Sequence, residues 1–160
     1  MENAITIFLG LLAGMIALYQ VKLNIISNSR IKWIETLRET LSEYIMEISH
    51  CNHLKINLYD EKSRVKNENK EDAFLDKYYV PYKNSAMKAE KLNAKLLLYL
   101  NSDKKNHKKI ENLLMSNARL IADFETDNRD AMDKNIMDII LFSKEIFKLE
   151  WKKSKRVFKR

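Results

Sequence analysis

Asn3-Ala4-Ile5-Thr6-Ile7-Phe8-Leu9-Gly10-Leu11-Leu12-Ala13-Gly14-Met15-Ile16-Ala17-Leu18-Tyr19-Gln20-Val21 is a run of 19 residues without a charge. At about 1.5 Å rise per residue it just covers a hydrocarbon core of about 30 Å. A cleaved signal peptide needs basic residues before its apolar run, and this chain starts Met1-Glu2-Asn3. No small-x-small cleavage signal follows before charged sequence begins. The stretch therefore reads as a retained membrane span within residues 1–28. Lys and Arg are absent before it, whereas Lys22, Arg30 and Lys32 follow it. The positive-inside rule then places the N-terminus outside and the rest of the chain in the cytoplasm.

Within the span, Asn3, Thr6, Gly10, Ala13, Ala17, Gln20 and Asn24 recur at alternating three- and four-residue steps, with Gly14 beside them. Both glycines of the chain lie here, spaced Gly10-x-x-x-Gly14. That spacing lets two membrane helices approach closely. The other faces are Ile, Leu, Phe and Met, as lipid demands. The stripe is the expected interface of a homo-oligomer and the candidate lining of a pore. The plain alternative is that lipid tolerates scattered Gly and Ala.

Outward from the span, the sequence reads as helix throughout. Two glycines and one proline in 160 residues leave little scope for hairpins. Ile34, Leu37, Leu41, Tyr44, Ile48 and Cys51 keep heptad spacing, so the first cytoplasmic helix continues from the membrane to about Arg64. Residues 66–71 carry no apolar side chain and form the expected turn. A second helix over 72–100 shows Tyr78, Tyr82, Ser85, Ala89, Leu92, Leu96 and Tyr99 on one face, with Pro81 kinking it or marking its start. Asn101-Ser102-Asp103 supplies a C-terminal residue tolerant of left-handed geometry and then N-cap candidates for a third helix, about 103–125, with Ile110, Leu114, Ile121 and Phe124 inward. Thr126-Asp127-Asn128 caps a fourth, about 129–155, with Met132, Ile136, Ile139, Ile140, Ser143, Phe147 and Trp151 inward. The expected fold is all-α: one transmembrane helix continuing into a cytoplasmic antiparallel four-helix bundle, residues 29–151, with a basic tail, 152–160.

Net charge is +7, and six basic groups fall in the last nine residues. Trp151, Lys152, Lys153, Lys155, Arg156, Phe158, Lys159 and Arg160 suit the anionic inner leaflet, where each basic residue contributes about 1 kcal/mol. Lys83, Lys88, Lys91, Lys95, Lys104, Lys105, Lys108 and Lys109 form a second basic patch, interleaved with Tyr82, Tyr99 and His107. Lysines among aromatics suit a nucleotide or short DNA strand. Glu35, Glu39, Glu43 and Glu47 lie at four-residue steps, where like charges cost about 0.2–0.5 kcal/mol per pair. They pair with the lysine patch or form an acidic vestibule below a pore; the bland reading is a solvated face.

Cys51 is the one cysteine, so no intrachain disulfide forms. His50 and His53 beside it lack a carboxylate partner and read as surface histidines, so no metal and no other cofactor is expected. Glycine-rich phosphate loops and nucleophile–base pairs are absent from the sequence, which argues against an enzyme.

Trp33-Ile34 followed by Leu37-Arg38, Leu100-Asn101, and Lys148-Leu149-Glu150-Trp151 give the chain a family likeness. It resembles small single-span helical membrane proteins of bacterial defence loci, and among them the membrane effectors of Hailong antiphage systems. The resemblance implies an oligomeric, toxic membrane effector, an ion channel by class, restrained by an oligonucleotide that a partner nucleotidyltransferase makes. It assigns no functional residue. The alternative is a non-conducting membrane-anchored scaffold or adaptor for a cytoplasmic partner.

Overall fold

The computed structural model describes residues 2–65, 75–123 and 128–156. All regular structure among them is helical. Helix α1 runs without interruption over Glu2–Val65. This continuity follows from composition, since no glycine or proline occurs between Met15 and Val80. A π-helical turn, Leu75–Tyr79, leads directly into α2, Val80–Tyr99. Pro81 sits in the first turn of α2, where a missing N–H is no loss, and the widened turn before it accommodates the ring. Helix α3 spans Lys105–Ala122 and α4 spans Arg129–Arg156.

The expected turn at 66–71, the start of the second helix at 72–74, Phe124 and the Thr126-Asp127 cap lie outside the described residues. Asn128 stands at the N-cap position of α4, its carbonyl accepting the Met132 N–H at 3.1 Å, while its side chain turns to the Leu120 carbonyl and Lys55. The Asn101-Ser102-Asp103 expectation needs correction. The N-cap of α3 is Lys104, which makes no side-chain cap bond. Asn101 turns its Oδ1 to the Asp103 N–H at 2.9 Å, and Ser102 donates to Glu111.

The chain divides into two compact units: residues 1–35 with 147–160, and residues 36–146. In the larger unit every helix buries one stripe. From α1 come Leu37, Leu41, Tyr44, Ile48, Cys51 and Leu58; from α2, Tyr82, Ala89 and Leu96; from α3, Ile110 and Leu114; from α4, Met132, Ile136, Ile139 and Ile146. Polar side chains join the helices across this core. Ser85 on α2 donates to the Glu47 carboxylate on α1 at 2.7 Å. Tyr82 donates to the Ile121 carbonyl at 2.5 Å, and Asn93 to the Leu114 carbonyl at 3.4 Å, both from α2 to α3. Asn135 on α4 donates to Asn117 Oδ1 at 2.9 Å, and Asn117, fully buried, donates to the Tyr44 hydroxyl at 3.4 Å. Asn52 on α1 reaches Asp133 on α4 at 3.0 Å.

In the smaller unit, Ser27 and Ser154 are both buried, and the Ser27 hydroxyl donates to the Ser154 carbonyl at 3.3 Å. The buried Glu150 faces Arg30 at 3.5 Å and Lys153 at 2.6 Å. This corrects the expected stripe of α4. Beyond Ser143 the inward positions are Ile146, Glu150 and Ser154, while Phe147 is half-buried and Trp151 is 45% exposed. Apolarity pointed to the wrong face because Glu150 and Ser154 meet polar partners, Arg30 and Ser27.

Candidate functional site

The most apolar window of α1 has mean hydropathy 1.7 and none of it is buried, so by length and composition this helix can cross a membrane. Its apolar side chains project on all sides: Ile7, Phe8, Leu11 and Leu18 are each more than 60% exposed. The stripe residues Asn3, Thr6, Gly10, Ala13, Gly14, Ala17, Gln20 and Asn24 are exposed as well. A Cβ built at Gly10 or Gly14 meets nothing within 4 Å. Glycine in a helix interior costs about 1 kcal/mol relative to alanine, and no contact among the described residues offsets that.

Further along α1, Glu35, Glu39 and Glu43 are exposed and Glu47 is half-buried. Glu47 accepts from Ser85 and lies 3.9 Å from His50 Nδ1. His50 and His53 are exposed and Cys51 is a buried free thiol. Burial pushes Cys51 up to about 11, despite its hydrogen bond to the Tyr82 hydroxyl. Burial likewise pushes Tyr44 up to about 12 and raises Tyr82. The thiol is therefore protonated at neutral pH, and a thiol is a far weaker nucleophile and metal ligand than a thiolate. Among the described residues no three His, Cys, Asp or Glu side chains are grouped to hold a metal ion.

The lysine patch divides between two helices. Lys83, Lys88, Lys91 and Lys95 are exposed on α2. Lys104, Lys105 and Lys108 are exposed at the start of α3, whose first turn contains no acid. A helix N-terminus disfavours cations, so this concentration works against the local dipole. Lys108 lies 3.8 Å from Glu111, and half-buried Lys109 stacks over the Phe142 ring at 4.2 Å. At the C-terminal end, Lys152, Lys153 and Lys155 are exposed, and Lys155 lies over the Trp151 ring at 5.3 Å. Phe158, Lys159, Arg160 and the Arg156 side chain lie outside the described residues.

Buried Lys55 and Asn117 escaped the sequence reading, and His107, expected among the aromatics of the lysine patch, is buried instead. Lys55, buried, donates to the Leu120 carbonyl at 2.9 Å and to Asn128 Oδ1 at 2.7 Å. Buried His107 accepts the Asn101 N–H on Nδ1 at 3.1 Å and so fastens the turn between α2 and α3. Asn117 bridges α1 and α4. Lys55 and Asn117 continue the buried stripes of α1 and α3, four residues after Cys51 and three after Leu114, so only their polar character hid them.

No protein-family model, curated protein or solved structure matches this chain.

Proposed function

We propose that the chain is an oligomeric inner-membrane effector of an antiphage defence system, forming an ion-conducting pore held closed by an acidic nucleotide or oligonucleotide. The observation that carries the membrane-assembly part is the pair of open glycines. Gly10 and Gly14 lie on an exposed helix face with nothing beside them, so a neighbouring helix is their physical rationale. With several copies in a ring, the stripe from Asn3 to Asn24 faces the axis and makes a narrow, mostly apolar throat that closes by dewetting. Exposed Glu35, Glu39 and Glu43, with Glu47, form an acidic vestibule that concentrates cations.

The remaining residues form an antiparallel four-helix bundle in the cytoplasm. Opposed registers support this: Tyr82 pairs with Ile121 and Asn93 with Leu114, while Asn117 pairs with Asn135 and Asn106 with Glu145. The exposed lysines of α2 and α3 are the ligand surface. Trp151 and the exposed lysines after it contact lipid headgroups. The defence role and the partner nucleotidyltransferase rest on the resemblance alone.

A scaffold without conduction is the second reading, favoured by the outward Met46, Met87, Leu98 and Met137, each at least 60% exposed. One experiment separates the two. The protein is purified in detergent, its mass measured, and ion flux followed after reconstitution into liposomes. A multimer with flux supports the effector; a monomer without flux rejects it. A periplasm-dependent reporter fused after Arg160 stays inactive under the proposed topology, and activity there reverses it.

A further inference from the structure

On α3, Lys108, Asn112, Ser116 and Arg119 follow one another at steps of four, four and three residues. They form a single row along the helix, about 16 Å from first to last, with about 6 Å between the four-residue neighbours. The row borders an open groove of about 410 Å³ that Leu97 and Met115 also line. Lys108, Asn112 and Arg119 are exposed and Ser116 is half-buried. All four carry hydrogen-bond donors, two of them cationic. The Ser116 oxygen already accepts the Asn135 amide at 3.0 Å, which leaves its own proton to give. The one acid in the groove, Glu111, is buried and takes the Ser102 hydroxyl at 2.9 Å, so its carboxylate is held at the wall beside Lys108.

We infer that this groove on α3 seats a short linear polyanion, its anionic groups meeting the successive donors while Leu97 and Met115 carry its apolar parts. Charge complementarity selects this occupant, because two cations flank the amide and hydroxyl donors of the row while the one carboxylate is held at the wall by Ser102 and Lys108, which matches repeated phosphate-like groups. The surface of α2 around Lys88 and Lys91 differs in that its acid, Glu90, is exposed among the lysines rather than buried at a wall. The inference rests on the proposed ligand reading but relocates its seat, adding Asn112, Ser116 and Arg119 to Lys108.

The test uses the full chain in detergent and two probes, a single-stranded DNA hexamer and inorganic tripolyphosphate, titrated over a range of salt. The double variant Lys108→Gln/Arg119→Gln weakens binding roughly tenfold or more and flattens the salt slope by about 1.4 for DNA. Lys88→Gln/Lys91→Gln on α2, also lysines of the proposed ligand surface, weakens binding less than the α3 pair does. Both pairs are at the surface, so unchanged helicity and melting confirm that the fold is intact. DNA binding that falls only with the α2 variant overturns the groove and leaves the nucleotide reading standing. Tripolyphosphate binding that depends on α3, with no DNA binding, supports the groove and rejects the oligonucleotide. Binding of neither probe at low salt overturns the groove.

Discussion

Residues 5–22 and residues 34–58 belong to one unbroken helix, yet they solve opposite problems. In the first stretch, apolar side chains surround the helix and every residue is exposed. In the second, Ile34, Leu37, Leu41, Tyr44, Ile48, Cys51 and Leu58 are buried on one stripe while glutamates and histidines face outward. Helix propensity does not separate the two, since both lack proline and favour helix formers. The distribution of apolar side chains around the axis does. A stripe matches a partner surface in water, whereas an apolar circumference of this length matches a helix able to cross a membrane.

The contrast breaks most completely at the glycine face. Gly10→Leu and Ala17→Leu are expected to abolish the multimer and with it both flux and toxicity, while Ile7→Leu and Leu11→Ile leave them intact. Detergent-phase mass and liposome flux read this out; equal tolerance at all four positions reduces the span to an anchor. A core truncation tests the other stretch. Leu37→Ala or Ile48→Ala, both at fully buried positions, costs about 2–5 kcal/mol of urea stability. Leu9→Ala, on the exposed face of the span, leaves that transition in place.

A smaller effect comes from the polar side of the core. Lys55→Ala removes donors from the Leu120 carbonyl and from Asn128. A loss of about 1–3 kcal/mol is expected, measured by the urea midpoint; an unchanged midpoint means that water replaces the ammonium.

The smallest effect is alkaline. Burial raises Cys51 from 9.0 to about 11 and Tyr44 from 10.0 to about 12. The unfolded chain therefore releases these protons first, and the fold is destabilised only once pH exceeds the ordinary values. Stability is complete below pH 9, falls as pH rises towards 11 through Cys51, and falls further towards 12 through Tyr44. Urea midpoints near neutrality and near pH 10 measure the Cys51 part, and Cys51→Ala removes it.

Apolar periodicity made much of this legible. Every position of the heptad from Ile34 to Cys51 is buried, and the first helix ends at Val65, one residue beyond the expected boundary. Met132, Ile136, Ile139 and Ser143 hold on α4 as well. The reading failed beyond Ser143, where buried Glu150 and Ser154 replace the apolar pattern. Phe147 and Trp151 looked like the continuation of α4, but Glu150 and Ser154 hold it, because Arg30 and Ser27 come from distant sequence. The same blindness covered Lys55, His107 and Asn117, whose partners are backbone carbonyls, N–H groups and amides that no residue pattern displays. For the candidate site, sequence located the lysines but not the donor row on α3, since Asn112 and Ser116 are uncharged.

Asn117 has a kinetic consequence. Its single amide, on α3, touches Tyr44 on α1 and Asn135 on α4. Loss of α1 or α4 strands part of the buried Asn117 amide, and loss of α3 removes a partner from both Tyr44 and Asn135, so partial opening there is penalised whichever segment leaves. Amide exchange around Tyr44, Asn117 and Asn135 is therefore expected to proceed at a common rate, as one cooperative opening, while the ends of the same helices exchange earlier and independently.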